Sequence, residues 1–265
     1  MRLIVYDVEV FAFDWIVVFK DVETGTHTVI HNDSEALREC LSDDGIYVGF
    51  NSKHYDQFII KAAANDFTPQ EIKQLNNFLI GGGRGWEYAP LKAFYFRFNN
   101  VDIRDDVQLG LSLKAIEGHM GMDIQETEVS FDLDRPLTED ELQQTVHYCK
   151  HDVDATHELM KLRADYLKTK KNLGKRAGID EVRSLAATNA KLTAMMLRAE
   201  RKESATRKSM TAHRITAMKS VRMTLLLCES CLRRDTRTES ICGRFLSLWT
   251  SLLRCTGGKS LTPTR

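Results

Sequence analysis

No apolar run in the 265-residue chain approaches the roughly 20 residues that cross a bilayer. No secretory signal precedes the first strand pattern, so a soluble, intracellular protein with no membrane partner is expected. Cysteine is scarce in the first 200 residues, where only Cys40 and Cys149 fall, and that pair implies no disulfide framework. Cys228, Cys231, Cys242 and Cys255 crowd the end. Cys228-x2-Cys231 lacks a second pair at zinc spacing, since Cys242 and Cys255 are 13 apart, and zinc is not expected there. "GGGRG" (81–85) has no Lys-Ser/Thr after it, which excludes a phosphate-binding P-loop and leaves a flexible loop. Internal repeats are absent.

Net charge is also absent, but only in total. Residues 201–265 hold 14 Lys/Arg against 4 Asp/Glu, and residues 1–200 hold 23 against 33. The basic stretch has no aromatic residue before Phe245, and 18 of its 65 residues are Ser or Thr. No helical or strand period persists in it. The chain therefore divides near residue 200 into unlike pieces. The composition fits a basic arm that binds nucleic acid, although its Cys and Leu-rich patches are odd for a solvated arm.

The first piece alternates strands and helices after an initial meander. Strands are expected at 2–10, 14–22 and 26–32, with Glu23-Thr24-Gly25 as a hairpin turn. A helix follows at 34–43, a strand at 45–51 and a helix at 54–65. Thr68-Pro69-Gln70-Glu71 is a capping box that starts a helix running to Ile80. Residues 94–105 return to strand character, and 112–121 form a helix closed by glycine. Thr138-Glu139-Asp140-Glu141 is a second capping box; its helical stretch reaches Leu173 with a break near Cys149. A further helix covers 180–200. The fold class is α/β, a mixed sheet of antiparallel meander and parallel strands flanked by helices.

"IVYDVEVFAF" (4–13) sets the functional question. Strand side chains alternate, so Asp7 and Glu9 share a face of a core strand. Two such carboxylates repel unless a proton or a cation lies between them, and a divalent cation such as Mg²⁺ resolves this. For an isolated D-x-E a strand end in solvent is the commoner explanation. In "VGFNSKHYDQFI" a strand gives way to a helix, with Asp56 in its first turn, where a plain capping acid is also favoured. In "TVHYCKHDVDAT", Tyr148 and Asp152 share a helix face, which an ordinary half-exposed face also accommodates.

Taken in order, Asp7-Val8-Glu9, Asn51-x3-Tyr55-Asp56 and Tyr148-x3-Asp152 resemble the three motifs of ribonuclease-H-like 3′–5′ exonucleases of the DEDDy type. The stretch "SLKAIEGHMGMDIQETEVSFDLDRPLTEDELQQTVHYCKHDVDAT" is similar to exonuclease regions of phage-type DNA polymerases, mostly family B. The resemblance covers about residues 1–160. It implies an exonuclease domain over 1–175, a helical segment over 176–200, and relatives that continue into a polymerase domain. It implies two divalent cations, Mg²⁺ or Mn²⁺, with Asp7 bridging both, Glu9 and Asp152 holding the first, and Asp56 acting on the second through water. Tyr148 would orient or help deprotonate the attacking water.

The same resemblance puts Asn51 and Tyr55 near a single-stranded DNA 3′ end, and Phe11 is a candidate for stacking on a base. Core packing explains Phe11 equally well, and strand-end hydrogen bonding and core packing are the alternatives for Asn51 and Tyr55. Replication proteins are the implied partners, in the cytoplasm of a bacterium or a phage-infected host cell. RNA in place of DNA, or a non-catalytic nucleic-acid-binding remnant, are the alternatives. Residues 201–265 then read as poorly ordered and out of frame after a frameshift near residue 200. Asp102, Asp105 and Asp106 read as structural, Asp154 as a surface acid, and His147, His151 and His157 as exposed helix histidines.

Overall fold

The structure, a computed structural model, describes residues 2–41, 44–105, 107 and 111–199. The expectations for 201–265, for Asp106 and for Cys228-x2-Cys231 lie outside these residues. Among the described residues no helix is long and apolar enough to cross a membrane.

One five-stranded sheet organises the described residues: β1 (Leu3–Val10), β2 (Trp15–Asp21), β3 (His27–His31), β4 (Ile46–Gly49) and β5 (Asn100–Asp102), in the order β3-β2-β1-β4-β5. β1 pairs antiparallel with β2 and β2 with β3, while β1 with β4 and β4 with β5 are parallel. The mixed α/β sheet expected from the sequence is therefore present. The turn after β2 is held by the Asp21 carboxylate, which accepts from Glu23 and Thr24 N–H, with Gly25 at φ 73°.

β1 shows why the helices form two layers. Ile4, Tyr6, Val8 and Val10 face one side, where they are packed with α1 (Ser34–Cys40), α2 (Asp56–Ala63) and α3 (Pro69–Ile80). Val5 faces the other side, with Ile16, Val18 and Val48, under α4 (Leu113–Met120) and α5 (Glu139–Leu162). Period-2 alternation on β1 and β2 thus builds both cores at once. Asp7 and Glu9 continue the row of Val5, opposite Val18 and Ile16, so they point under α5.

Both capping boxes form as the sequence dictates, at Thr68/Glu71 and Thr138/Glu141. α4 starts on a Ser112 cap and ends on Gly121 at φ 70°. Three expectations need correction. The strand expected over 94–105 is three residues long, because β4 is short and begins at Ile46; residues 94–98 run past it with no strand to pair with, and Phe96 and Phe98 pack on the core instead. α5 is unbroken at Cys149. The helical stretch breaks at Arg163, whose guanidinium turns back to the carbonyls of Ile103 and Asp105 (3.2 Å to the latter), and α6 (Ala164–Arg176) follows. The helix expected over 180–200 is two: α7 (Glu181–Ala186) and α8 (Asn189–Met196), separated where Thr188 caps the second. α7 packs on α6 and on β5.

α5 carries two of the candidate site residues, so its start matters. Thr138→Ala removes a hydroxyl that accepts from Glu141 N–H and bonds the Glu141 carboxylate. It should lower stability by about 1 kcal/mol, read as an earlier urea midpoint with an unchanged slope.

Candidate metal centre

The sheet changes direction at β1. The chain first builds outward through β2 and β3, then returns to add β4 and β5 on the other side. The carboxyl ends of β1 and β4 therefore flank a switch point, the place where open α/β sheets form ligand crevices. Asp7 and Glu9 come from the end of β1, and Asp56 opens α2 shortly after β4. Asp152 and Tyr148 come from α5, which packs across β1 and β2.

The acids sense one another strongly. Burial pushes Asp7 from its ordinary 3.8 up to about 7, and the Asp152 charge adds to this; the Cys149 thiol, which donates to Asp7 Oδ2 at 3.5 Å, pulls it back partway. Burial raises Glu9 well above the usual carboxylate range, with further contributions from Asp7, Asp152 and Asp56. Asp56, 4 % exposed, is raised by burial and then by Asp7. The dipole of α2 favours its ionised form but does not reverse this.

Tyr148 is also raised, first by burial and then by the nearby Asp152 charge. It is a neutral phenol at neutral pH, able to orient a water but poorly suited to take a proton. Cys149 is fully buried and its thiol is pushed up, so it acts as a donor to Asp7 and not as a thiolate.

Among the described residues, two groups of ligand atoms have metal-like spacing. Oxygens of Asp7 and Glu9 lie with the Cys149 sulfur within 4.8 Å of one another, and so do one atom each of Glu117, His151 and Asp152. The Asp7–Glu9 pair offers hard oxygen donors on one strand face, whose elevated proton affinity marks a place that wants positive charge. These residues fit a divalent cation.

Lys114 is a site residue that the sequence reasoning passed over. Its ammonium binds Asp152 Oδ1, lies 3.4 Å from Glu117 Oε1, and sits 4.8 Å from the centre of the Tyr148 ring. The signal was available: Lys114 and Glu117 are three apart on a short helix, within "SLKAIEG".

The second motif is shaped by an acid outside the cluster. Asp102, 4 % exposed, ends β5 and accepts from the backbone N–H groups of Asn51, Lys53 and Arg104. Asn51 stands at φ 61°, and its side-chain oxygen accepts from Arg104 at 2.7 Å. A Cβ on Gly49 would lie 2.7 Å from that of Ser52, so the chain can fold back only with glycine there. Asp105 pairs with Lys53. The structural role expected for Asp102 and Asp105 is what the loop shows.

The three residues considered for nucleic-acid contact are otherwise engaged. Phe11 is fully buried and stacks on Phe131, with centroids 4.9 Å apart. Tyr55 is packed on the core and donates to Asn76 Oδ1. Asn51 shapes the loop. Of the three histidines His147 is exposed, but His151 is largely covered and His157 is 6 % exposed, because α5 is sandwiched along this length. Asp154 does lie near the surface, paired with Lys20 and His27 at 2.6 and 3.1 Å.

No protein-family model matches the chain, and no curated protein matches it.

The raised acids give a stability prediction with a definite sign. The folded state holds a proton on Asp7 up to about pH 7, whereas the unfolded chain releases it near 3.8. The contribution is full below the lower value and is lost as pH rises through the higher one. For Asp7 this is worth up to about 4 kcal/mol. Without metal, Asp7→Asn should therefore gain stability relative to the parent chain as pH goes from 4 to 8, measured by urea unfolding at each pH. A pH-independent difference would contradict the buried-acid account.

Proposed function

We propose that the chain is a ribonuclease-H-like, metal-dependent 3′–5′ exonuclease of the DEDDy type, the proofreading region of a phage-type DNA polymerase. One observation carries this reading: the charge of Asp152 on α5 acts on Asp7 and Glu9 of the central strand and on Tyr148, while Asp56 at the start of α2 acts on Glu9 and is itself raised by Asp7. The strand order, with two antiparallel pairings followed by two parallel ones, is compatible with that fold.

Asp7 would hold both cations, Glu9 and Asp152 the first, and Asp56 the second through water. Bound there, two divalent cations supply an activated water and offset the charge growing on the leaving 3′-oxygen. The protein's own contribution is positional. The β1 register fixes two carboxylates two residues apart, and α5, packed across β1 and β2, brings a third to them. Lys114 steadies Asp152 until a cation replaces part of its charge. Tyr148, kept as a phenol, holds a water by hydrogen bonding. A single strand ending in a free 3′-hydroxyl is the fitting substrate, because the reaction needs an unpaired terminal nucleotide.

The test uses single strands of DNA and of RNA labelled at either end, with and without Mg²⁺. Nucleotides should leave DNA from the 3′ end in Mg²⁺ alone. Asp7→Ala should abolish release while the protein stays folded. Tyr148→Phe should slow it by about tenfold or more, less than loss of a full acid–base group. Equal rates for Asp7→Ala and the parent chain would refute the assignment, and preference for RNA would replace the substrate.

A further inference from the structure

The cluster of Glu117, His151 and Asp152 is not explained by the site above. Glu117 has no exposed surface, yet its Oε2 has no hydrogen-bond partner among the described residues. His151 Nδ1 is likewise out of contact with water and without a partner, at 3.7 Å from Asp152 Oδ1, too far for a hydrogen bond. Native proteins seldom leave such groups unsatisfied, and two of them in neighbouring residues of one cluster need a reason. Lys114 does not supply it. Its ammonium serves Asp152 and the other oxygen of Glu117, at 3.4 Å, and leaves both orphaned atoms as they are.

One ligand atom from each of the three residues lies within 4.8 Å of the others. They come from two packed helices, Glu117 from α4 and the adjacent pair from α5. An imidazole beside two carboxylates is a donor set for a borderline transition ion: Zn²⁺ takes His nitrogen and carboxylate oxygen in four-coordinate sites, commonly with water as the fourth ligand. Mg²⁺ prefers oxygen alone, so imidazole separates this site from the Asp7–Glu9 centre.

We infer that Glu117, His151 and Asp152 form a separate Zn²⁺ site, and that filling it draws Asp152 away from Asp7 and so inhibits the Mg²⁺-dependent reaction. The inhibition rests on the nuclease reading; the binding does not. Asp152 is shared between the two clusters. An ion held by Glu117 and His151 competes for its oxygens, and Lys114 is released towards solvent, to which its side chain is already 24 % exposed.

The experiment titrates the full chain with Zn²⁺ in excess Mg²⁺ by calorimetry. The parent chain and Asp7→Ala should bind the same number of ions. His151→Ala and Glu117→Gln should each bind one fewer, or bind it about tenfold or more weakly, as loss of a ligand costs at least what loss of its supporting partner does. Any ion taken by cysteines is common to all four proteins and cancels. Where nucleotides are released, His151→Ala should keep its rate in Mg²⁺ and need about tenfold more Zn²⁺ for the same inhibition. Unchanged zinc binding in both variants overturns the site. Loss of zinc binding without relief of inhibition overturns the coupling. If no variant releases nucleotides, the nuclease reading falls while the ion count still decides the zinc site.

Discussion

Asp7 and Glu9 share one strand face beneath a helix that carries Asp152, and without a positive charge among them each holds its proton to a higher pH than a free carboxyl does. That constraint explains features scattered along the chain. A thiol at Cys149 is a small donor that eases Asp7 without adding charge. Lys114 is placed on Asp152 rather than pointing freely into solvent. Even so, burial dominates the balance, and Asp7 stays protonated up to about pH 7. The scaffold around these acids is correspondingly stiff: β2 is buried on both faces, and α5 runs unbroken for 24 residues across β1 and β2. A fold that holds like charges together must take its stability from packing elsewhere.

Much of this was legible in the sequence. Alternation on β1 and β2, the hairpin turn at Gly25 and two capping boxes determine their elements by local rules, and local rules are what a single sequence reveals. The break at Arg163 was not legible, because its cause is a pair of carbonyls some 60 residues earlier. The short β5 has the same origin: its aromatic run looks like a strand, but the length of its partner, β4, sets how much of it can pair. Among the site residues, the acids stood out because carboxylates are unusual on a core strand. Phe11 and Tyr55 did not separate from ordinary aromatics, since stacking on a base and stacking on Phe131 leave the same trace in a sequence. The spacing of Lys114 and Glu117 on one helix was visible, but not their destination, since Asp152, the lysine's partner, is 38 residues away.

The two ligand clusters differ in chemical hardness while sharing an edge. One sets two strand carboxylates beside the Cys149 sulfur of α5. The other includes an imidazole and spans two helices, and Asp152 belongs to the electrostatics of both. Adjacent positions on α5 thus present different donors to different neighbours, because consecutive residues on a helix are rotated by about 100°.

Asp102 never enters the cluster, yet three of its neighbours' amides converge on it, and one belongs to a residue in the left-handed region. The carboxylate works as a template: it fixes the path of the chain from Gly49 to Lys53, and thereby the point from which α2 departs with Asp56. The template itself hangs on a three-residue edge strand, the least paired part of the sheet. Detaching that edge would leave Asp7, Glu9 and Asp152 where they are and free the loop that leads into Asp56. The centre therefore draws on two kinds of support, a packed core under three of its acids and a loop template at the margin of the sheet that leads into the fourth.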